Sequence, residues 1–321
     1  MGTVTGTGAW RATAGGAALG LTPRQVNRQP DLRGALAALQ QPTEASACAS
    51  NLASLLALDL RTARSLLRRH PLLIRIPDAK LCRRARGVAQ VFHGVNAAKA
   101  LAAPYVLRAP TLLTCRLGAV PALLLLLRAL APHLGLQGVQ ALLRAEPRLL
   151  AHPQAAEAGR HCNAVLSCLA EQCGVPPSLV AQQLVARQPR LLLMGSAELR
   201  EACEALASTW QLPSEALWEV VVAAPELLCG ASKGLKVHCQ RLHYLIWRSY
   251  DWRRMLPRLP SYPQALARAL LYNTSRHDRL YYLVRTHRAR GLAWHVALRM
   301  TDQDWHDMYP GFREWLARHG R

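Results

Sequence analysis

The sequence predicts an all-α protein, an α-solenoid superhelix of about six two-helix repeats with a 3-10 turn at each repeat proline. The main observation is a proline followed by leucines that returns every 36 to 42 residues, a period typical of stacked repeats. A second is the content of only 2 Phe, with few β-branched runs, which disfavours a sheet. The repeat prolines are Pro71, Pro110, Pro147, Pro189, Pro225 and a weaker copy at Pro263.

The fifth repeat illustrates the plan of one unit. Ser214 is predicted to cap a first helix whose apolar residues recur at i, i+3, i+4 and i+7. Pro225 ends that helix, because the residue before a proline is pushed out of the α region. Leu227 and Leu228 then lie in a 3-10 turn that tucks them inward, and Ser232 caps the second helix.

Similar caps and apolar stripes recur in other units. Asp78, Ser196 and Ser275 are the further predicted caps. An out-of-phase Pro121 and the missing leucines after Pro263 leave the register of the second and sixth repeats open. The stripes predicted to be buried are Leu81/Ala85/Val88/Phe92, Leu199/Cys203/Leu206/Trp210, Leu217/Val220/Val221/Ala224, Leu235/Cys239/Leu242/Ile246 and Leu280/Leu283/Val284.

The ends of the chain differ in composition from the repeats. Residues 1–50 contain only Asp31 and Glu44 as acids, which favours an organellar transit segment, or else a disordered tail. Residues 51–290 are predicted to form the repeat array and 291–321 a C-terminal helical tail. We therefore expect a chloroplast location, with the mitochondrion as the alternative and the cleavage site undefined.

Neither membrane spans nor metal sites are predicted. The most apolar run, residues 117–127, contains Pro121 and ends at Arg128, so it is shorter than the ~20 residues a span requires. The nine cysteines include no C-x-x-C pair, and Cys162, Cys203 and Cys239 fall on apolar stripes. We expect buried reduced thiols, no metal, no cofactor and no membrane partner.

The charge of the chain indicates a polyanionic partner. The net charge is +21, and 36 of the 40 basic residues are Arg. Residues 1–140 hold 17 Lys+Arg against 4 Asp+Glu, residues 231–321 hold 17 against 6, and residues 141–230 hold 6 against 9. An Arg-rich composition also follows from a GC-rich genome, but codon bias does not remove acidic residues. Nucleic acid is therefore the expected partner.

The repeat pattern resembles that of a known family. A helix, then P-x-L-L, then a Ser- or Asp-capped helix, at this period, looks like the mitochondrial transcription termination factor (mTERF) family. The segment from Tyr272 to Val284 resembles the closing "Y-S-x-x-x-R-x-x-P-R" motif of that family, with Asp278 where the family usually has proline, and Met300 to Trp305 resembles its terminal segment. The resemblance covers roughly residues 52–316 and implies a non-catalytic monomer whose basic groove binds double-stranded DNA or structured RNA.

The family resemblance implies roles in organellar transcription termination or regulation, RNA processing or ribosome assembly. In the fifth and sixth repeats, basic residues off the apolar stripes are the candidate contacts, because Arg forks suit phosphates and nearby tyrosines can stack on bases. Arg148 and Arg190 are further candidates, because each directly follows a repeat proline and so occupies the same position in its repeat. The candidates are Arg148, Arg190, Lys233, Lys236, Arg241, Arg248, Arg276, Arg279, Arg285 and Arg288.

Other functional classes fit the residues less well. Walker, G-x-G-x-x-G, G-x-S-x-G and H-E-x-x-H motifs are absent, so no catalytic residue is proposed. Asp302, Asp304, His306 and Asp307 are interpreted as helix-start residues rather than a metal cluster. The alternatives are a helical-repeat protein-interaction scaffold, which leaves the charge unexplained, and a pentatricopeptide-like single-stranded RNA binder, whose 35-residue period differs from the observed spacing.

Overall fold

Every regular element that the structure describes is helical. The computed structural model describes residues 30–115, 118–151, 158–230 and 232–319, and only the backbone of residues 30, 158, 232 and 233. Within these ranges there is no strand, so the all-α prediction is confirmed. Contacts divide the chain into two compact units, Met1–Arg160 and His161–Arg321.

The first unit contains six helices within its described residues, and a seventh begins at its end. The helices are α1 (Pro30–Leu39), α2 (Pro42–Leu56), α3 (Leu60–Arg69), α4 (Asp78–His93), α5 (Ala103–Arg108), α6 (Ala119–Ala145) and α7 (Ala158–Cys173). The 3-10 turns are Pro71–Arg75, Lys99–Ala102, Pro110–Leu113 and Pro147–Ala151.

The second unit continues the alternation of helices and short turns. Its helices are α8 (Pro177–Val180, extended by a π-helical turn at Ala181–Val185), α9 (Ser196–Trp210), α10 (Ser214–Ala223), α11 (Ser232–Arg248), α12 (Tyr250–Arg253), α13 (Pro263–Leu271), α14 (Thr274–Arg285), α15 (Trp294–Arg299), α16 (Asp302–Met308) and α17 (Phe312–His319). The 3-10 turns are Pro189–Leu193, Pro225–Cys229 and Leu256–Ser261.

Five repeat prolines share one backbone geometry. The residue before each has φ between −131° and −146° and ψ between 71° and 82°, outside the α region as the following proline requires. The N–H two residues after each proline donates to the carbonyl of the residue before it, at 3.0–3.3 Å. These bonds define the 3-10 turn predicted from the sequence, and their donors are Leu73, Leu112, Leu149, Leu191 and Leu227.

Every leucine two or three residues after these prolines is buried. Two and three residues after the proline, the side chains of Leu112/Leu113, Leu149/Leu150, Leu191/Leu192 and Leu227/Leu228 are buried. In the first copy Leu73 is fully buried, whereas Leu72 is 38% exposed. Leu72 is the first residue after its proline, and the second and third are Leu73 and the half-buried Ile74.

Equivalent elements of successive repeats contact one another. In the first unit the turn Pro110–Leu113 contacts Pro147–Ala151, and in the second unit Pro189–Leu193 contacts Pro225–Cys229. The second helices of three successive repeats also pack in series, since α11 contacts both α9 and α14. The predicted stripes form these contacts: all their residues are buried except Val284, which is half-buried.

The sixth repeat differs from the prediction. Pro263 begins the α-helix α13 instead of forming a 3-10 turn, and the 3-10 turn lies earlier, at Leu256–Ser261. Proline suits the first position of a helix, where its missing N–H would have no intrahelical partner. Pro263 is not followed by the leucines that the other proline turns bury, and it is the first residue of a helix.

The apolar helix α6 is longer than the sequence suggests. By length and composition it is one helix that could cross a membrane, with 28% of its most apolar stretch buried, in contrast to the expectation that no run is long enough. It contains a break at Gly135, where φ is 68° and ψ is 171°. Glycine tolerates this positive φ, and the segment after it forms the first helix of the third repeat.

Several predicted caps are displaced by one or two residues. Asp78, Ser196 and Ser214 are the first helical residues, and the cap positions before them are held by Pro77, Gly195 and Pro213. Asn273 rather than Ser275 caps α14, because its Oδ1 accepts a hydrogen bond from the Arg276 N–H at 3.1 Å. Short polar side chains are favoured both at the cap position and at the first positions of a helix. The residue type alone therefore predicted the start of these helices one or two residues away from its true position.

The N-terminal boundary also differs from the expectation. Residues 30–50, assigned from composition to the transit segment or tail, lie in α1 and α2, and α1 contacts the first proline turn. Leu32, Ala35 and Leu36 are buried, an i, i+3, i+4 pattern that packs this helix on the first unit. The remainder of the proposed transit segment, residues 1–29, lies outside the described residues.

The cysteines behave as apolar core residues. All nine have free thiols, and Cys162, Cys203 and Cys239 are buried on the predicted stripes. Burial raises the pKa of Cys162 to about 12 and that of Cys239 to about 11, so these thiols stay protonated and unreactive near neutral pH.

Candidate nucleic-acid interface

Helix α11 presents an exposed face opposite its buried stripe. Leu235, Cys239, Leu242 and Ile246 are buried against neighbouring helices. The exposed residues recur at helical spacing on the other side, so they line one face along the helix. This exposed face of α11 consists of Lys236, Val237, Gln240, Tyr244, Trp247 and Arg248.

Aromatic rings and a guanidinium meet at the C-terminal end of this face. The Arg253 guanidinium of α12 lies 6.0 Å from the ring centroid of Trp247 and 5.9 Å from that of Tyr250. Tyr250 is 70% exposed, Tyr244 53% and Trp247 48%. Large exposed rings that contact a cation form a surface suited to a planar or anionic partner.

A cleft next to these rings is lined by further cations. Its volume is about 480 Å³, and it lies between the end of α11 and the chain that follows α14. Arg248, His287 and Arg290 line it together with Tyr250, and Asp251 is the acidic residue in its wall. The two arginines, 42 residues apart in the sequence, are therefore brought to one cleft that can accept an anion.

Arg241 and Lys236, both candidates on α11, differ in their surroundings. The Arg241 guanidinium forms an ion pair with the carboxylate of Asp278 on α14, and both side chains are partly buried. Lys236 is exposed on the face. Arg241 therefore joins two helices, and Asp278 competes with any external anion for its guanidinium. The side chain of Lys233 lies outside the described residues.

The assignment of Arg279 to an exposed groove is wrong. Arg279 is 3% exposed, and it donates to the carbonyl of Met300 at 2.6 Å and forms an ion pair with Asp302. Its guanidinium also lies 5.1 Å from the ring centroid of Trp305. Burial and the nearby Arg276 lower the pKa of Arg279, and Asp302 opposes them. The side chain thus joins α14 to α15 and α16.

Arg276 has a similar structural role. Its Nη1 donates to the carbonyl of Leu298 at 2.7 Å and to that of Met300 at 2.6 Å, at the C-terminal end of α15. A cation there complements the negative end of the helix dipole. At the start of α14 a cation opposes the dipole of its own helix, and the carbonyls of α15 supply the compensating charge.

The remaining candidates retain exposed side chains. Arg285 and Arg288 follow at the end of α14, where the Arg288 Nη1 donates to the hydroxyl of Tyr282 at 3.1 Å. Arg190 is exposed in its proline turn. Arg148, in the first unit, forms a two-bond ion pair with Glu146 at 2.6 and 2.7 Å, and this hydrogen bonding raises the pKa of Arg148.

Other arginines link one repeat to the next. The Arg108 Nη1 donates to the carbonyl of Arg144 at 2.8 Å, and the Arg187 Nη1 donates to that of Val222 at 2.6 Å. In each case an arginine two residues before one repeat proline binds the last turn of the next repeat's first helix. Some of the positively charged side chains of the chain therefore form hydrogen bonds within the fold.

The acidic segment at the start of α16 serves the same fold. Asp302 pairs with Arg279, and the Thr301 Oγ1 accepts from the Asp304 N–H at 3.1 Å as the helix cap. Across the part of the chain that the structure describes, no group of three or more His, Cys, Asp or Glu side chains could hold a metal ion.

The sequence analysis did not single out Trp247, Tyr250 and Arg253, which belong to this surface. Trp247 continues the spacing from Gln240 and Tyr244, and extending that face by one turn would have found it. Tyr250 and Arg253 lie on a separate short helix, so no helical period links them to α11. The break in the helix at Ser249, which has an extended backbone, separates them from α11, and the folded chain places them beside Trp247.

The basis for a functional assignment is the chemistry of this surface. Comparison with models of known protein families finds no match for this chain, and comparison with curated protein sequences finds none either. Exposed rings, cations and an adjoining cleft remain as the features that select a partner.

Proposed function

We propose that this chain is an organellar nucleic-acid-binding protein that regulates gene expression without catalysis, through transcription termination or regulation, RNA processing or ribosome assembly. The single observation that supports the proposal best is the cation-lined cleft beside exposed aromatic rings at the end of α11. The net charge of +21 supports the choice of a polyanion.

The surface residues have complementary roles in this proposal. Arg248 and Arg290 bind phosphates in the cleft, because planar guanidinium groups match phosphate oxygens in pairs. Lys236 adds an exposed charge along the face, and the rings of Tyr244 and Trp247 contact sugars or bases. Arg285 and Arg288, also exposed, extend the basic surface beyond α14.

We further propose that the repeats stack as a solenoid superhelix like that of the mTERF family. The shared geometry of five proline turns and the contacts between equivalent helices support this arrangement. A repeat array offers an extended surface to a long polymer, which suits a nucleic acid. A chloroplast or mitochondrial location, and a monomeric state, belong to the same proposal.

Binding measurements at several salt concentrations test the proposal. The purified full chain is titrated into a fluorescein-labelled duplex DNA, a duplex RNA and a single-stranded RNA, and the affinity is followed by fluorescence anisotropy. Counterion release predicts that log K falls linearly with log salt, with a slope of roughly −0.9 for each phosphate bound on duplex DNA. The proposal is contradicted if the chain binds none of the three probes. It is also contradicted if the affinity for all three is the same at about 50 and 200 mM salt.

A charge-matched pair of variants assigns the site. Arg248→Ala together with Arg290→Ala should weaken binding and flatten the salt slope by about 1 per lost phosphate contact. Arg313→Ala together with Arg318→Ala removes the same charge from exposed positions on α17, and it should leave the slope unchanged. Equal loss in both double variants would mean that overall charge, rather than this cleft, binds the nucleic acid.

A second candidate function is supported by one further feature. An apolar cleft of about 420 Å³ lies between α13 and α15, with Leu259, Trp294 and Leu298 in its walls and Arg268 and Arg299 at its rim. Such a recess suits an apolar side chain of a protein partner, as a repeat scaffold would use it. Binding through it would depend little on salt, which separates this candidate from nucleic-acid binding.

A further inference from the structure

Three aromatic rings at or just after the C-terminal end of α11, those of Tyr244, Trp247 and Tyr250, are exposed to solvent. Buried rings elsewhere in the second unit pack against one another, as Tyr282 does against Trp305 and Phe312. Tyr244, Trp247 and Tyr250 instead present 53%, 48% and 70% of their surface to solvent. A ligand with flat apolar faces would cover them, whereas a ligand that offers only charge would not.

Phosphate binding alone does not account for this composition. Rings and cations are mixed on this surface. Lys236 lies about two turns before Tyr244 and Arg248 about one turn after it, and the Arg253 guanidinium lies about 6 Å from the rings of both Trp247 and Tyr250. In a duplex the bases stack on each other and show only their edges in the grooves. An unpaired base exposes both of its flat faces, which stack on aromatic rings and guanidinium planes.

We propose that the exposed face of α11 and the adjoining Tyr250 bind a single-stranded segment of nucleic acid, with unpaired bases stacked on Tyr244, Trp247 and Tyr250. This inference rests on the proposed function and names its substrate class. The phosphates of the segment pass Lys236 on the face and enter the cleft lined by Arg248 and Arg290.

The dimensions of the face fit a short segment. From Val237 to Trp247 the helix rises about 15 Å, at 1.5 Å per residue. At roughly 3.4 Å per stacked nucleotide this length corresponds to about four nucleotides. Arg253 lies about 6 Å from the centroids of both rings, and the exposed surface of Trp247 and Tyr250 is the area proposed for base stacking.

The experiment compares single-stranded and duplex probes on matched ring variants of the full chain. The probes are a fluorescein-labelled U12 RNA, a dT12 DNA and a 12-base-pair duplex of mixed sequence. Trp247→Ala should weaken binding of the two single strands about 5- to 150-fold, the effect of one stacked base, and change duplex binding less than about twofold. Tyr262→Ala, which removes a similarly exposed ring outside this face, should change neither.

Tryptophan fluorescence provides an independent measurement. Stacking of a base on Trp247 should quench its emission when U12 is added. Trp247→Phe keeps a ring, so it should retain affinity for U12 within about threefold but lose that quench. Thermal melting of each variant confirms that it is folded, since Trp247 is about half exposed and outside the core.

Failure of this inference differs from failure of the proposed function. If the wild-type chain binds none of the three probes, both are wrong. If it binds the duplex with a steep salt dependence but Trp247→Ala leaves single-strand binding unchanged, only the stacking inference is overturned. Equal weakening of single strands and duplex by Trp247→Ala also overturns it, because base stacking acts on unpaired bases alone.

Discussion

The imidazole rings of His238 and His277 stack, with 4.2 Å between their centroids and 20° between their planes. Each Nε2–H donates to a carbonyl at the C-terminal end of α13, His238 to Leu270 at 3.0 Å and His277 to Ala269 at 3.2 Å. The two rings therefore tie α11, α13 and α14 together beneath the proposed binding surface. His277 is fully buried, and its Nδ1 has no hydrogen-bond partner within the described structure.

Acid should destabilise the fold through this pair. Burial, the neighbouring His238 and Arg241 lower the pKa of His277 from 6.5 to about 4, although its bond to Ala269 opposes them. Burial also lowers the pKa of His238. Between pH 6.5 and 4 the unfolded chain binds a proton at His277 that the folded chain does not. The free energy of unfolding therefore decreases as the pH is lowered through this range, by about 3 kcal/mol for His277.

The measurement is urea unfolding at pH values from about 4 to 7.5, which span the two pKa values of His277. His277→Gln should be less stable than the wild type at pH 7 but should show a weaker dependence on pH in the lower range. An identical pH dependence in the wild type and the variant would show that other groups cause the acid effect.

Adjacent leucines of the first proline turn should differ in their effect on stability. Leu73→Ala removes a fully buried side chain and should cost about 2–5 kcal/mol through the cavity it leaves. Leu72→Ala, one residue earlier and 38% exposed, should cost less than about 1 kcal/mol. Denaturant unfolding of both variants decides; equal losses would contradict the burial of this turn.

Loss of Arg279 should weaken the C-terminal packing of the second unit. Arg279→Ala removes charged hydrogen bonds to the Met300 carbonyl and Asp302, at a cost of about 2–3 kcal/mol. Arg285→Ala, an exposed control on the same helix, should change the free energy of unfolding by less than about 0.5 kcal/mol. An unchanged melting temperature for Arg279→Ala would contradict the structural role of this side chain between α14, α15 and α16.

Removal of the charge on Asp278 should strengthen nucleic-acid binding. Asp278→Asn releases Arg241 from its ion pair, and the added positive charge should raise affinity about twofold to fivefold at low salt. Asp304→Asn adds the same charge on α16 and is the matched control, for which a smaller gain is expected. Anisotropy titrations of both variants test whether Arg241 contributes to the surface.

Local sequence was sufficient to predict the helices and the 3-10 turns at five of the prolines. The geometry before Pro71, Pro110, Pro147, Pro189 and Pro225 depends on adjacent residues alone, because the proline ring restricts its neighbour wherever the segment lies. Apolar spacing likewise predicted which residues of α9 and α11 are buried, since helical geometry fixes one face. The start of each helix was predicted less well, because Ser, Asp and Asn are favoured both at the cap and just inside it.

The roles of the arginines were decided by tertiary structure. Arg248 and Arg279 both lie off the predicted stripes and carry the same charge, yet Arg248 is exposed and lines a cleft whereas Arg279 is buried. The difference arises because carbonyls at the end of α15 and the carboxylate of Asp302, about twenty residues further along the chain, are brought onto Arg279. A guanidinium takes whichever acceptors the fold supplies, and only the packing of distant helices determines which they are.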